Sequence, residues 1–390
     1  MVRAPRKKLP PGAFVEVRSR DGEFVARGIY NPRSEIALRI LTEDPGEELG
    51  LEFFVERFRR AKELREEVLR LQERTDAYRL VHGEADGLSG LVVDRFADVL
   101  VARPYSAGYA REFELVARAL GELFPGARIA VRADDATARR EGFDAAELAR
   151  RFPAHGRVTI RENEIRMLVD LESPQKTGYF LDQRENRARF ARLVRGRRVL
   201  DCFTYTGGFA ISCARAGAAR VTGVDLDEKA LALARENAAA NGAEVEFVHA
   251  DVFDYLRELA SRGEQVDALV LDPAKLAGVK AEVARAWRTY GDLNRLGVSV
   301  VREGGLILTC SCSGLVSERD FLSICARSAA EAGAHLQVFE VAGAAPDHPV
   351  ASEFPEGRYL KAVFARVLRA PGTTRRAMPA AEPRPGGDQN

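Results

Sequence analysis

The chain has 390 residues, of which 46% are hydrophobic and 30% are charged, so it is long enough for two or three domains with ordinary globular cores. Its 59 basic and 58 acidic side chains leave a net charge of +1, which neither favours nor excludes a nucleic-acid partner. Five cysteines in the second half of the chain are odd in number and exclude a disulfide framework. No apolar segment has the length of a membrane span or of a signal peptide core. We therefore expect a cytoplasmic protein without membrane contact.

The first 72 residues combine a small β module with a helix. Residues 12–42 alternate short apolar runs with turn signals, and Asp21-Gly22 is typical of a hairpin. From 51 to 75, apolar residues recur at helical spacing. The opposite face of this helix carries five basic residues between glutamates: Arg57, Arg59, Arg60, Lys62 and Arg65. Such a face is typical of a solvated helix but also fits contact with RNA phosphates, so both interpretations stay open.

Residues 77–170 predict a compact α+β unit. Two strands surround a turn at Ala97-Asp98, a helix runs from Glu112 to Leu123, and a strand follows from Arg128 to Arg132. Two further strands are expected between 157 and 170.

From residue 184 onward helices and strands alternate, which predicts an α/β fold with a doubly wound parallel sheet. The predicted strands are Arg198–Cys202, Ala219–Asp225, Glu244–His249, Ala268–Asp272 and Gly305–Cys310. Ligands of such sheets bind beyond the carboxyl ends of the strands. The end of the chain is rich in Pro, Gly and Arg and is expected to be disordered. We therefore expect three domains and a tail: 1–72, 73–172, 173–370 and 371–390.

Three acidic residues, Asp201, Asp225 and Asp251, lie where the first three strands of this sheet end. Gly207 and Gly208 follow the first strand and let the backbone of a helix N-terminus approach a ligand. Their spacing differs from G-x-G-x-x-G, which disfavours a nicotinamide cofactor. Each aspartate alone could be a helix N-cap, but together they indicate S-adenosylmethionine, with ribose and adenine contacts at the second and third strands. The expected contacts are Asp201, Phe203, Tyr205, Thr206, Gly207, Asp225, Asp251, Val252 and Asp272.

The fifth strand runs into Thr309-Cys310-Ser311-Cys312-Ser313-Gly314, which brings two thiols to the ligand edge. The fourth strand ends in Asp272-Pro273-Ala274-Lys275, without the aromatic residue that stacks a base during amine methylation. Carbon 5 of a pyrimidine is a poor nucleophile, and thiolate addition at carbon 6 activates it. We therefore predict Cys312 as the nucleophile, with Cys310 as the fallback, and Asp272 as the group that holds or protonates N3.

The alternative is that both cysteines are small core residues. The pair lacks a second Cys/His pair at zinc-ligand spacing, so no metal site is expected. The sequence does not identify the base that removes the C5 proton.

Several runs of sequence resemble the bacterial large-subunit ribosomal RNA (cytosine-C5)-methyltransferases. The matching runs are Lys176–Arg187, Cys202–Phe209, Cys310–Gly314, Glu84–Leu91, Asp94–Phe96, Asp347–Val350 and Pro355–Lys361. The resemblance covers nearly the whole chain apart from the tail. It implies an N-terminal RNA-binding PUA domain, a central α+β domain and a C-terminal class I methyltransferase domain.

The resemblance also implies that Tyr179, Phe180 and Gln183 wall the cofactor pocket and that Cys312 is catalytic. The product would be 5-methylcytidine in 23S ribosomal RNA or a large-subunit precursor, and the resemblance leaves room for a homodimer. The chain departs from the family at Ala274, usually proline, and at Pro346, usually alanine. Two alternatives stay open: methylation of another base or position, and a non-catalytic RNA-binding assembly factor of the PUA type.

Overall fold

The computed structural model describes residues 8–154, 156–172 and 178–369, so the predicted tail lies outside the described residues. The chain divides into two compact units. The first unit comprises Met1–Arg189, Leu233–Ala243 and Gly343–Tyr359, and the second comprises Phe190–Ala232, Glu244–Ala342 and Leu360–Asn390. This division places 1–72 and 73–172 in the same unit, and the boundaries of the three expected domains stay a prediction. In the part of the chain that the structure describes, no helix is long and apolar enough to cross a membrane.

The first unit begins with the predicted β module. Its three antiparallel strands are β1 (Ala13–Arg18), β2 (Phe24–Tyr30) and β3 (Leu38–Thr42). Gly22 in the first turn has φ +87°, a conformation that glycine adopts without a Cβ penalty. The hairpin expected at Asp21-Gly22 is therefore present.

The helix after this module does not run to residue 75 as predicted. Helix α1 (Leu51–Glu63) passes into a π-helix at Leu64–Val68 and a 3₁₀ turn at Leu71–Glu73. A π turn takes in an extra residue, and one residue advances a helix by about 100°. As a result Val68, predicted to be apolar core, is 67% exposed, whereas Arg65, predicted on the charged face, is fully buried.

The basic residues of the helix face are paired with carboxylates. Arg65 contacts Asp86 at 2.5 Å. The other pairs are Arg57 with Glu47, Arg59 and Arg60 with Glu56, and Lys62 with Glu66. Arg59 and Arg60 are more than half exposed, as in a solvated helix, whereas Arg65 is buried.

The rest of the first unit is the α+β segment. Its four-stranded sheet comprises β4 (Ala77–His82), β5 (Leu91–Phe96), β6 (Val99–Pro104) and β7 (Arg128–Val131), and a hairpin comprises β8 (Arg157–Glu162) and β9 (Ile165–Asp170). Its helices are α2 (Ala107–Arg111), α3 (Phe113–Leu123), α4 (Asp135–Glu141) and α5 (Ala145–Arg151). Strand β4 and helices α2, α4 and α5 were not predicted. These three helices have only five to seven residues each, too few for a helical pattern to show. The core packs Phe54 and Phe58 of α1 against Val116 of α3.

The second unit is built on a seven-stranded sheet. Its strands are β10 (Arg198–Cys202), β11 (Arg220–Asp225), β12 (Glu246–His249), β13 (Val266–Leu271), β14 (Val301–Ser311), β15 (His335–Ala342) and β16 (Lys361–Leu368). Their order is β12-β11-β10-β13-β14-β16-β15, and neighbouring strands from β12 to β14 are parallel. The predicted α/β class and parallel sheet are confirmed for these five strands. The sheet as a whole is mixed, because β16 is antiparallel to both β14 and β15.

The remaining helices are α6 (Arg184–Ala191), α7 (Gly208–Arg215), α8 (Glu228–Ala240), α9 (Val252–Ser261), α10 (Val283–Val300) and α11 (Glu318–Glu331). Helices α6 and α8 each have residues in both units. Most residues of strands β10 and β13 are buried, as expected for parallel strands that helices cover. The strand order reverses between β10 and β13. In open α/β sheets ligands bind beyond the carboxyl ends of the strands at this reversal.

Candidate active site

The loop after β10 has an unusual backbone. Phe203, Tyr205 and Gly207 all have positive φ, of 64°, 51° and 86°. For a residue with a Cβ this conformation costs roughly 1–2 kcal/mol, so contacts must hold the loop in place. The N–H of Phe203 donates to Val224 O (2.9 Å). The N–H of Tyr205 donates to Asp225 Oδ2 (2.8 Å). The end of β11 therefore fixes the loop at the ligand edge of the sheet.

Asp201 is buried at the end of β10. Its Oδ2 accepts hydrogen bonds from the Thr204 hydroxyl (2.6 Å) and the Ala210 N–H (3.0 Å). Its Oδ1 is also buried and has no hydrogen-bond partner among the described residues. Burial raises the pKa of Asp201 to about 7. A cationic ligand beside Oδ1 would stabilise the carboxylate, and S-adenosylmethionine carries both a sulfonium and an ammonium group, so the site fits this cofactor.

Asp225 and Asp251 lie at the neighbouring strand ends. Asp225 is the last residue of β11, and its Oδ1 accepts from the Asp227 N–H (2.9 Å). Each carboxylate oxygen can accept two hydrogen bonds, so Asp225 retains acceptor capacity for ribose hydroxyls. Asp251 Oδ1 caps α9 by accepting from two N–H groups of its first turn (2.9 and 3.1 Å). The capping alternative thus holds for Asp251, and cofactor contacts by Asp251 and the buried Val252 stay a prediction.

Cys312 directly follows β14 and is partly exposed. Its Sγ lies 4.0 Å from Pro273 O, so the thiol faces the loop that begins with Asp272. Cys310 is fully buried within β14 opposite Ala362. The geometry therefore favours Cys312 over the fallback Cys310.

The other three cysteines, Cys202, Cys213 and Cys325, are buried. Burial raises the pKa of Cys325 to about 12 and that of Cys202 and Cys213 well above the usual thiol value. These side chains remain uncharged thiols at neutral pH, as expected for structural residues.

Ser313 ties together the two loops that carry Cys312 and Asp272. Its hydroxyl accepts from the N–H groups of Leu276 (3.2 Å) and Ala277 (3.1 Å). It also lies 3.1 Å from the hydroxyl of Tyr290 in α10. The loop that carries Cys312, the predicted nucleophile, is therefore hydrogen-bonded to the loop that carries Asp272, the predicted N3 partner. Sequence reasoning missed Ser313 and Tyr290, whose hydroxyls could equally have been solvated.

Lys361 is the first residue of β16 and is buried. Its Nζ donates to Ser313 O (2.7 Å). Burial lowers the pKa of Lys361 to about 8, while the charges of Cys312 and then Glu318 act in the opposite direction. The sequence analysis gave Lys361 no role and included it only as the last residue of Pro355–Lys361, one of the runs that resemble the family. Nothing in the neighbouring sequence indicates that its side chain is buried.

The three pocket residues implied by the resemblance lie in the first unit. Tyr179 is buried, with the Arg187 guanidinium carbon 4.6 Å from its ring centre. Gln183 is buried and accepts a hydrogen bond from Asn186 Nδ2 (2.7 Å). Phe180 is half-buried. Their contact with the cofactor stays a prediction, as does that of Thr206, which is buried in the loop after β10.

Comparison with known proteins gives matches along most of the chain. A family model for S-adenosylmethionine-dependent methyltransferases matches residues 86–363, and a model for PUA-like domains matches residues 1–43. "Ribosomal RNA large subunit methyltransferase I" of Aeromonas salmonicida is 41% identical over 363 residues, which cover 91% of this chain and 90% of that protein. The protein of the same name from Escherichia coli is 39% identical over 369 residues, covering 93% and 92%.

Two solved structures share the fold. The structure of SMU.776 complexed with SAH has a TM-score of 0.77 at 21% identity, and the match covers 93% of both chains. A second structure, from Streptococcus mutans, has a TM-score of 0.75 at 20% identity with the same coverage. The predicted PUA-like domain and class I methyltransferase fold are confirmed. The chain therefore belongs to the family of S-adenosylmethionine-dependent methyltransferases.

Proposed function

We propose that this protein methylates carbon 5 of a cytidine in 23S ribosomal RNA through a covalent adduct with Cys312. The position of Cys312 carries the proposal: it is a partly exposed thiol at the end of β14, against the loop that starts with Asp272. The substrate class is supported by the relatives, which are named as ribosomal RNA large subunit methyltransferases. The PUA-like domain also supports an RNA substrate.

The chemistry assigns one task to each residue. The Cys312 thiolate bonds to C6 of the base, and the electron pair of the C5–C6 double bond shifts through C4 toward N3. Asp272 holds or protonates N3, which balances the charge that develops there. S-adenosylmethionine supplies the methyl group that the electron-rich C5 takes up, and S-adenosylhomocysteine leaves. Loss of the C5 proton to a base then restores the C5–C6 double bond and expels the Cys312 thiolate, and N3 gives back any proton that it took from Asp272.

The methyl donor would be held at the carboxyl ends of β10 to β12. Asp201 would face its cationic groups, Asp225 would accept from its ribose hydroxyls, and the turn at Gly207 would let the backbone approach it. The remaining proposed contacts are Tyr179, Phe180, Gln183, Phe203, Tyr205, Thr206, Asp251, Val252 and Asp272.

The proposal includes a cytoplasmic location, where thiols stay reduced. It does not require the homodimer that the resemblance leaves open, because Cys312, Asp272, Asp201 and Asp225 all belong to the second unit of one chain. RNA or a large-subunit precursor would be the only partner needed.

The test is transfer of labelled methyl from S-adenosylmethionine to 23S RNA that lacks its modifications, with the labelled base identified. Wild type, Cys312→Ala and Cys310→Ala are compared after circular dichroism has shown that each is folded. We expect labelled 5-methylcytidine with wild type and Cys310→Ala and none with Cys312→Ala. Equal activity of all three proteins, or label on a nitrogen, would contradict the covalent mechanism. RNA binding without any methyl transfer would instead support a non-catalytic assembly factor.

A further inference from the structure

The buried lysine beside the proposed nucleophile carries a charge that the fold alone does not require. Lys361 is 4% exposed and lies opposite Ser311 in the β14–β16 ladder. Its Nζ donates to the main-chain oxygen of Ser313, the residue after Cys312. Burial of an ammonium group disfavours its charged form unless an opposite charge lies near. A methionine would fill a similar volume without that cost.

The charges that act on Lys361 are negative. Glu318 of α11 and the Cys312 thiolate both act on Lys361. On α10, Tyr290 has a pKa that is raised chiefly by burial and further by the charges of Cys312 and Asp272. Among these groups Lys361 is the cation, and an opposite charge nearby favours the ionised form of a thiol.

We propose that the Lys361 ammonium, held by Ser313 O, keeps Cys312 in its thiolate form, a positioning role that rests on the proposed function. The interaction is mutual, because two opposite charges each stabilise the ionised form of the other. The thiolate is the attacking species in addition to C6. Lys361 thus acts through Cys312 and does not contact the base.

The test measures how the reactivity of the Cys312 thiol depends on pH, without RNA or methyl donor. The full chain is alkylated with iodoacetamide across a pH series, and mass spectrometry of the peptide that contains Cys312 gives the rate at each pH. An opposite charge at close range shifts an acid by roughly 1–3 units. We therefore expect the half-maximal pH of alkylation to rise by at least about one unit in Lys361→Met and to return in Lys361→Arg. The rate at high pH should not change.

An unchanged half-maximal pH in folded Lys361→Met, or a shift that Lys361→Arg shares, would overturn the proposal in favour of a neutral structural tie to Ser313. If Lys361→Met does not fold, the proposal is tested by the titration of Lys361 in a variant that lacks the Cys312 thiol. In Cys312→Ala, carbon-13 NMR of the Lys361 Cε should show titration at lower pH than in wild type. Identical titration curves would overturn the proposal.

The outcomes also separate this proposal from the proposed function. If the half-maximal pH of alkylation shifts as expected but no 5-methylcytidine forms, the proposed reaction is wrong, while the proposal that Lys361 activates the thiol holds. If 5-methylcytidine formation depends on Cys312 while the half-maximal pH does not move, Lys361 alone is wrong.

Discussion

The Arg184–Asp347 ion pair gives the sharpest test of the energetics of the first unit. Asp347 accepts from Arg184 Nη2 (2.7 Å) and Nη1 (3.2 Å), and its Oδ2 also accepts the N–H of Arg79 (2.8 Å). The side chains of Arg184 and Asp347 are 1% and 0% exposed. Asp347→Asn would leave the Arg184 charge buried without its carboxylate. Loss of one partner of a buried pair costs about 3–5 kcal/mol.

The matched control is Asp98→Asn in the Arg128–Asp98 pair. That pair also has two hydrogen bonds, both of 3.1 Å, but its side chains are 41% and 61% exposed. An exposed pair contributes about 0–1 kcal/mol. We measure urea unfolding by circular dichroism. The free energy of unfolding should fall at least about three times more in Asp347→Asn than in Asp98→Asn.

The pH dependence of this difference provides a second check. Burial alone would raise the pKa of Asp347, but His348 and Arg184 hold it well below its usual range. An acid with a lowered folded pKa stabilises the fold fully above its unfolded pKa of about 4 and loses that contribution as the pH falls further. The gap between wild type and Asp347→Asn should shrink only below about pH 4. Equal small losses for Asp347→Asn and Asp98→Asn at pH 7 would refute the reasoning.

Two further predictions concern the cofactor site. The pKa of Asp201 is raised to about 7 by burial, so its carboxylate forms as the pH rises from 6 to 8, and affinity for the cationic methyl donor should rise with it. Calorimetric titration should show this rise in wild type and a weaker, pH-independent affinity in Asp201→Asn; a rise in both would exclude Asp201 as the titrating group. Gly207→Ala forces an alanine to φ +86° at the start of α7, at a cost of roughly 1–2 kcal/mol, and should weaken cofactor binding. Gly217→Ala has the same φ and should cost similar stability but leave binding intact; equal effects of the two on binding would contradict the placement of the site at Gly207.

Much of the second unit could be predicted because its signals are local. The five strands from β10 to β14 alternate with helices along the chain, and the predicted bounds agree closely except at the start of β14. The position of Cys312 directly after a strand could be predicted from the sequence, and its role as nucleophile stays a prediction. The capping role of Asp251 was foreseen as an alternative, but capping and ligand binding use the same residue type at the same place.

Other features depend on partners distant in the chain and could not be predicted. Arg65 is buried because Asp86 and the main chain of Asp347 accept its hydrogen bonds. Lys361 comes to the site because β16 pairs with β14 in one antiparallel register, with Lys361 opposite Ser311. Neither pairing leaves a periodic or compositional signal in the neighbouring residues.

The insertion of β16 between β14 and β15 has a consequence for biosynthesis. A ribosome makes the chain from its N-terminus, and domains generally fold as they emerge. Here the first unit needs Gly343–Tyr359, which supplies the carboxylate of Asp347 to Arg184, and the sheet of the second unit needs Lys361–Leu368 to join β14 and β15. Neither unit can therefore complete its core until the ribosome has made the residues after 343. A nascent chain released before residue 343 would expose two incomplete cores at once, so degradation could remove it before it bound RNA.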